Sequence, residues 1–184
     1  MSISLDGDFL DLGFAPRLPF LLAPDFTLRL EPRGGGAPLP QDAYNKPIPA
    51  PSPETARYWE GCRAHELWLP FCRSCQRFFF YPRRFCPRCF GWDIEWRQAS
   101  GRGKVYSCAI QYRAFHPGWA QETPYVTALV ELDEGPRLYT SLVGVEPDPN
   151  AIRCDMPVEV VFEDISEEIS LPKFRPVDGA GRPE

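Results

Sequence analysis

The sequence predicts a mainly β protein: a short N-terminal helix, a rubredoxin-like zinc ribbon, and a five-stranded barrel of the OB type. Three observations carry this. Cys72, Cys75, Cys86 and Cys89 form two C-x2-C pairs with ten residues between them. Five short strand-like segments follow, at 104–113, 125–132, 137–145, 156–164 and 169–176. A single stretch before the cysteines has helical spacing.

The elements are justified in chain order. Residues 1–51 combine eight of the chain's 22 prolines with five glycines in the first 50 positions, so they predict no helix. The same 50 positions hold nine leucines and four phenylalanines, which a solvated tail would not need. "FTLRL" (26–30) alternates like a short strand, "RGGGAPLP" (33–40) is a break and "NKPIPAP" (45–51) an extended linker. These features together predict an arm over 1–51 that lies on a partner.

The helix is predicted to begin with Ser52 as N-cap and Pro53 at the first helical position, where a missing N–H costs nothing. It should run from Thr55 to about Glu66, with Tyr58, Trp59 and Cys62 on one apolar side. "LWLPF" (67–71) leads extended into the first cysteine pair, and "GWDIEWRQA" (91–99) alternates as a strand. Beyond "SGRG" the five segments are separated by "HPGW", "DEGP" and "EPDPN". Five short strands in so little chain close most simply as an OB barrel.

The cysteine spacing lets each pair form a tight knuckle and lets a hairpin bring the knuckles together. Four thiolates complete a tetrahedral shell with no open position, which makes a structural Zn2+ site of Cys72, Cys75, Cys86 and Cys89. Iron in a rubredoxin-like site is the rival ion. The residues after the second cysteine of each pair are Gln76 and Phe90, where knuckles favour glycine for a positive φ. The remaining cysteines, Cys62, Cys108 and Cys154, read as buried small apolar residues.

From Cys72 to Lys104, seven arginines and one lysine face only Asp93 and Glu95, a net of +6 in a chain of net charge −5. Part of this excess offsets the −2 of a zinc tetrathiolate. The rest points to an anion. Arg83 and Arg84, with Tyr81 and Phe85 beside them, are the candidate contacts for the phosphates and adenine of CoA. Phe78, Phe79, Phe80 and Tyr81 would be costly to expose together, which predicts that a partner or ligand covers some of them. His65 and His116 belong to no triad pattern, and no glycine-rich phosphate loop is present. No catalytic residue is assigned. The acidic start and the lack of a long apolar run predict a cytoplasmic chain without a membrane span. A nucleic-acid-binding ribbon and barrel is the alternative class, opposed by the acidic overall balance.

"PETARYWEGCRAHELWLPFCRSC", "PRRFCPRC", "SGRGKVYSCAIQYRAFHPGW", "PYVTALVELDEGPRLYTSLVG", "MPVEVVFED" and "LPKFRP" occur in this order over 53–177. That order resembles the zinc-ribbon plus OB-fold proteins of acyl-CoA metabolism, a family that includes the small subunit of benzoylsuccinyl-CoA thiolase. The resemblance implies a non-catalytic accessory subunit in a hetero-oligomer with a thiolase-fold catalytic subunit, a thiolase or a thiolase-like aldolase of aromatic or steroid degradation. It implies a CoA ester as substrate of the complex and a ribbon near the CoA channel. Gln76 and Asp155 stand where the family commonly has glycine. The expected divisions are the arm (1–51), the helix (52–68), the ribbon (69–100), the barrel (101–177) and a tail (178–184).

Overall fold

A computed structural model describes residues 44–177. The expected arm, up to residue 43, and the tail lie outside the described residues. The linker from Asn45 to Pro51 carries no regular structure, and it is pinned at one end. Lys46 is buried, pairs with Glu122, and lies over the rings of Tyr44 (5.5 Å) and Trp119 (5.6 Å).

Helix α1 spans Ala56–Arg63 and is shorter than predicted at both ends. Ser52 is not its N-cap. Its N–H donates to Thr55 Oγ1 (2.9 Å) and its carbonyl accepts from the Thr55 N–H (2.9 Å), which makes a separate turn around Pro53 and Glu54. Thr55 occupies the cap position with no side-chain bond. At the other end the Glu66 N–H donates to the Gly61 carbonyl and the His65 N–H to that of Cys62, with His65 at φ +58°. This paired closure stops a helix at a left-handed residue, here a histidine in glycine's usual place.

The ribbon is a three-stranded antiparallel sheet of β1 (Trp68–Cys72), β2 (Arg77–Phe78) and β3 (Ile94–Gln98), in the order β2-β1-β3. The barrel contains β4 (Arg102–Gln111), β5 (Tyr125–Leu132), β6 (Arg137–Leu142), β7 (Pro157–Asp164) and β8 (Ser170–Pro176). It closes in the order β4-β5-β6-β8-β7, with β4 paired to β7, the expected five-stranded OB solution. The predicted third segment ends early, at Leu142, because Gly144 turns the chain at φ +70°. At the seam, a Cβ on Gly103 would lie 2.3 Å from the Glu131 carbonyl oxygen, so only glycine lets β4 pair so closely with β5.

Val105, Val130, Val158 and Phe174 fill the barrel, and Tyr58 and Cys62 from α1, Leu69 from β1 and Leu67 just ahead of β1 join the same core. The ribbon therefore starts from a strand anchored in the barrel's core. No described helix is long and apolar enough to cross a membrane.

His65 ties the end of α1 to the barrel. Its ring stacks on Phe162 (5.3 Å, 3° between planes), and its Nε2 lies 2.9 Å from Asp164 Oδ1. Ser170 Oγ donates to the same oxygen (2.5 Å). These two bonds, from Ser170 first and then His65, hold the Asp164 carboxyl below its ordinary value. A carboxyl depressed on folding adds stability above its unfolded pKa of about 4, lost as pH falls through the lower folded value. The melting temperatures of the wild type and Asp164→Asn should thus differ at neutral pH and converge in acid below about pH 4. Thermal melts across that range read the difference directly.

Candidate metal centre and aromatic–arginine shelf

The first knuckle leaves the end of β1 at Cys72, and the second sits in the irregular segment before β3. The four sulfur atoms lie within 4.8 Å of one another, and those of Cys72 and Cys89 are 3.6 Å apart. Metal–sulfur bonds of about 2.3 Å in a tetrahedron place sulfurs about 3.8 Å apart, so the donor set fits a divalent ion. The N–H groups of Cys75 and Arg88 donate to the sulfurs of Cys72 and Cys86, each at 3.4 Å. Such bonds stabilise thiolates and turn the knuckles inward.

As the sequence required, Gln76 (φ +54°) and Phe90 (φ +58°) follow the knuckles in the left-handed region. Each non-glycine residue there costs about 1–2 kcal/mol. Gln76 offsets part of this by donating from Nε2 to the Arg73 carbonyl (2.6 Å). Asp155, the third glycine departure, also has positive φ (+62°), and it pairs with Lys104 at 2.7 Å. Without a cation the crowded thiols do not ionise together. Bonding from Cys89 pushes Cys75 up to about 12. Burial opposes ionisation of Cys86, but the N–H groups of Cys89 and Arg88 outweigh it and lower that thiol to about 7. An ion that compensates all four thiolates resolves this conflict.

The expectation for the aromatic run needs correction. Phe79 is buried against Cys72 and Cys86. Phe78 packs edge-on to Phe71 (5.0 Å), and Phe80 tilts onto Tyr58 (5.6 Å). The protein's own cores bury Phe79 and half-bury Phe78 and Phe80, because β1 and α1 bring apolar rings to both sides of the hairpin. Only Tyr81 of the four stays exposed, at 63%.

Within the ribbon the exposed aromatics are instead Tyr81, Phe90 and Trp92, the last two at 69% and 72%. Phe85 joins them, 6.3 Å from Phe90 and 5.8 Å from Trp92. Sequence reasoning put Trp92 in a strand and missed its role. The usable signal was "FGW" directly after Cys89, where a knuckle has no interior to bury large rings.

A shallow cavity of about 400 Å³ lies on this shelf. Tyr81, Arg83, Arg84 and Phe85, the four predicted ligand contacts, all line it, together with Glu54 and Trp92. Arg84 is paired through Nε with Glu54 Oε1 at 3.1 Å. Arg83 has no carboxylate partner among the described residues.

Other candidate chemistry is quiet. Burial pushes the Cys62 thiol up to about 12, which makes it inert. Cys108 and Cys154 are exposed rather than buried: Cys154 lies in the turn ahead of β7, and Cys108 lies in the part of β4 from Tyr106 to Ala109 where every residue is exposed. His116 caps a short turn, accepting from the Gly118 N–H at 3.0 Å. Ser170 and His65 both bond Asp164, so the carboxylate separates the hydroxyl from the imidazole, and no proton relay toward the serine results. An aromatic groove of about 980 Å³ runs between α1 and β5–β6. Its cations are neutralised: Arg137 pairs with Glu131 (2.7 Å) and Lys173 with Glu163 (2.5 Å).

Comparison with known proteins agrees with this geometry. Residues 59–95 match the family described as ChsH2, rubredoxin-like zinc ribbon domain, and residues 96–163 match ChsH2, C-terminal OB-fold domain. The chain belongs to the ChsH2 family of zinc-ribbon plus OB-fold proteins. A solved relative, the "Ltp2-ChsH2(DUF35) aldolase", shares 38% identity with a TM-score of 0.62, covering 70% of this chain and 98% of that one. A probable enoyl-CoA hydratase alpha subunit of Thermomonospora curvata is 38% identical over 131 residues, which are 71% of this chain but 40% of the relative. The chain thus spans less than half of that relative's length. The benzoylsuccinyl-CoA thiolase subunit BbsA of Thauera aromatica is 31% identical over 113 residues, 61% of this chain and 69% of the relative.

Replacing one ligand tests the metal centre. Cys86→Ser should drop bound zinc from about one per chain to well below that and leave a protein that aggregates, since a ribbon this small draws its folding energy from the metal. Metal analysis alongside a thermal melt reads both effects.

Proposed function

We infer that this chain is a non-catalytic accessory subunit of an acyl-CoA thiolase or thiolase-like aldolase complex. Its zinc ribbon, held by Cys72, Cys75, Cys86 and Cys89, supports a thiolase-fold partner in a hetero-oligomer. Its shelf contacts the CoA moiety of the substrate. The metal supplies no reactive position, because four thiolates fill its coordination shell. The carbon–carbon bond chemistry belongs to the partner.

The observation that carries this reading is the shelf itself. Exposed rings of Tyr81 and Trp92 beside Arg83 and Arg84 offer a flat apolar face and guanidinium forks in one cavity. That pairing of stacking surface and phosphate donors suits a nucleotide end such as that of CoA. The relatives add direction: one is a thiolase subunit and another an aldolase assembly by name. The nucleic-acid alternative finds less support. The barrel face that OB folds use for oligonucleotides carries Arg137, already paired with a carboxylate.

Co-expression with a thiolase-fold protein should give a stable complex. In that complex, Arg83→Ala combined with Arg84→Ala should raise the KM for the CoA ester at least about tenfold, since one charge-assisted phosphate contact contributes about 1.5–3 kcal/mol. An unchanged KM in an intact complex would assign the arginines to the subunit interface instead.

A further inference from the structure

We propose that Glu54 is a built-in counter-anion that masks Arg84 and sets how tightly the shelf takes a phosphate. The inference rests on the reading of the shelf as the site for the CoA phosphates, and it adds a residue outside the ribbon that tunes it.

Glu54 sits in the turn closed by Ser52 and Thr55, ahead of α1 and far in sequence from the knuckles. The turn is locked: besides its backbone bond, the Ser52 and Thr55 hydroxyls lie 3.1 Å apart. Pro53 fixes φ at its centre. The carboxylate is thus held at the cavity wall, with Oε1 3.1 Å from Arg84 Nε. It lines the same cavity as Arg83, Tyr81, Phe85 and Trp92.

A phosphate that bonds Arg84 must take the place of this carboxylate or accept a like charge beside it. Either route costs affinity. The cavity therefore carries two guanidinium charges and one carboxylate, a net of +1 where the arginines alone would give +2. Both partners of the pair are substantially exposed, at 68% and 45% of their side-chain surfaces, so the mask is weak and displaceable. A strong phosphate ligand opens it, while weaker anions find Arg84 already satisfied.

The test uses the full-length zinc-loaded chain and adenosine 3′,5′-bisphosphate as probe, with adenosine as the uncharged control, read by calorimetry. Glu54→Gln should bind the bisphosphate about three- to five-fold more tightly than the wild type, with adenosine binding unchanged. The gain should vanish when Arg84→Ala is added. If Arg84→Ala weakens the bisphosphate but Glu54→Gln brings no gain, the mask is wrong and the phosphate site stands. If Arg83→Ala and Arg84→Ala leave binding unchanged even alongside Glu54→Gln, or if no variant binds the bisphosphate, the shelf reading fails and the mask with it. Glu54 is exposed and belongs to neither hydrophobic core, so matched melting temperatures will show that each comparison is between folded proteins.

Discussion

Convergence of four sulfur atoms on one point is the constraint on which the functional surface depends. Strand β1 begins in the shared core, where Leu69 is fully buried, and ends at Cys72, one of the four converging cysteines. Beyond it the ribbon has little to hold it. β2 contributes two residues, and the second knuckle has no strand of its own. The small core around Phe79 is built largely from the cysteines themselves. An ion at this point therefore transmits the fixed position of the barrel to Tyr81, Phe85, Phe90 and Trp92. Remove it and the rings lose their shared platform, because hydrophobic contact among exposed aromatics is too weak to set a geometry.

The barrel and helix serve as the frame. Closure of β4 onto β7 over Arg102–Lys104 shortens the barrel's free edges, which narrows a route to non-specific strand pairing. The His65–Asp164 contact and the Phe162 stack hold the helix end to that frame. From the start of the helix, the Ser52–Thr55 turn places Glu54 against Arg84. Two ends of one short helix thus connect the barrel to the ribbon, one by packing and one by charge.

What the sequence revealed was local in origin. Cysteine spacing, strand alternation and turn residues are short-range patterns, so the ribbon, the barrel and the positive φ at Gln76 and Phe90 could be read directly. What it concealed depended on contacts between distant segments. Phe78 and Phe80 are half-buried because Phe71 and Tyr58 lie against them, which no pattern within "FFFY" can show. Ser52 looked like a helix cap, yet its bonds to Thr55 make a turn instead. Arg83 and Arg84 were legible as neighbouring cations, but the Glu54 contact on Arg84 came only from the fold.

Hydrogen exchange on the full-length chain, before and after metal removal by a chelator, tests the central claim most directly. The account predicts that the amides of Cys86 and Phe90, bonded at 2.9 Å to the Gly91 and Cys86 carbonyls, are protected with metal and exchange freely without it. Barrel amides such as those of Val105 and Val160 should keep their protection in both states. Unchanged protection of Cys86 and Phe90 in metal-free protein would contradict the account, since the shelf would then be held by something other than the metal.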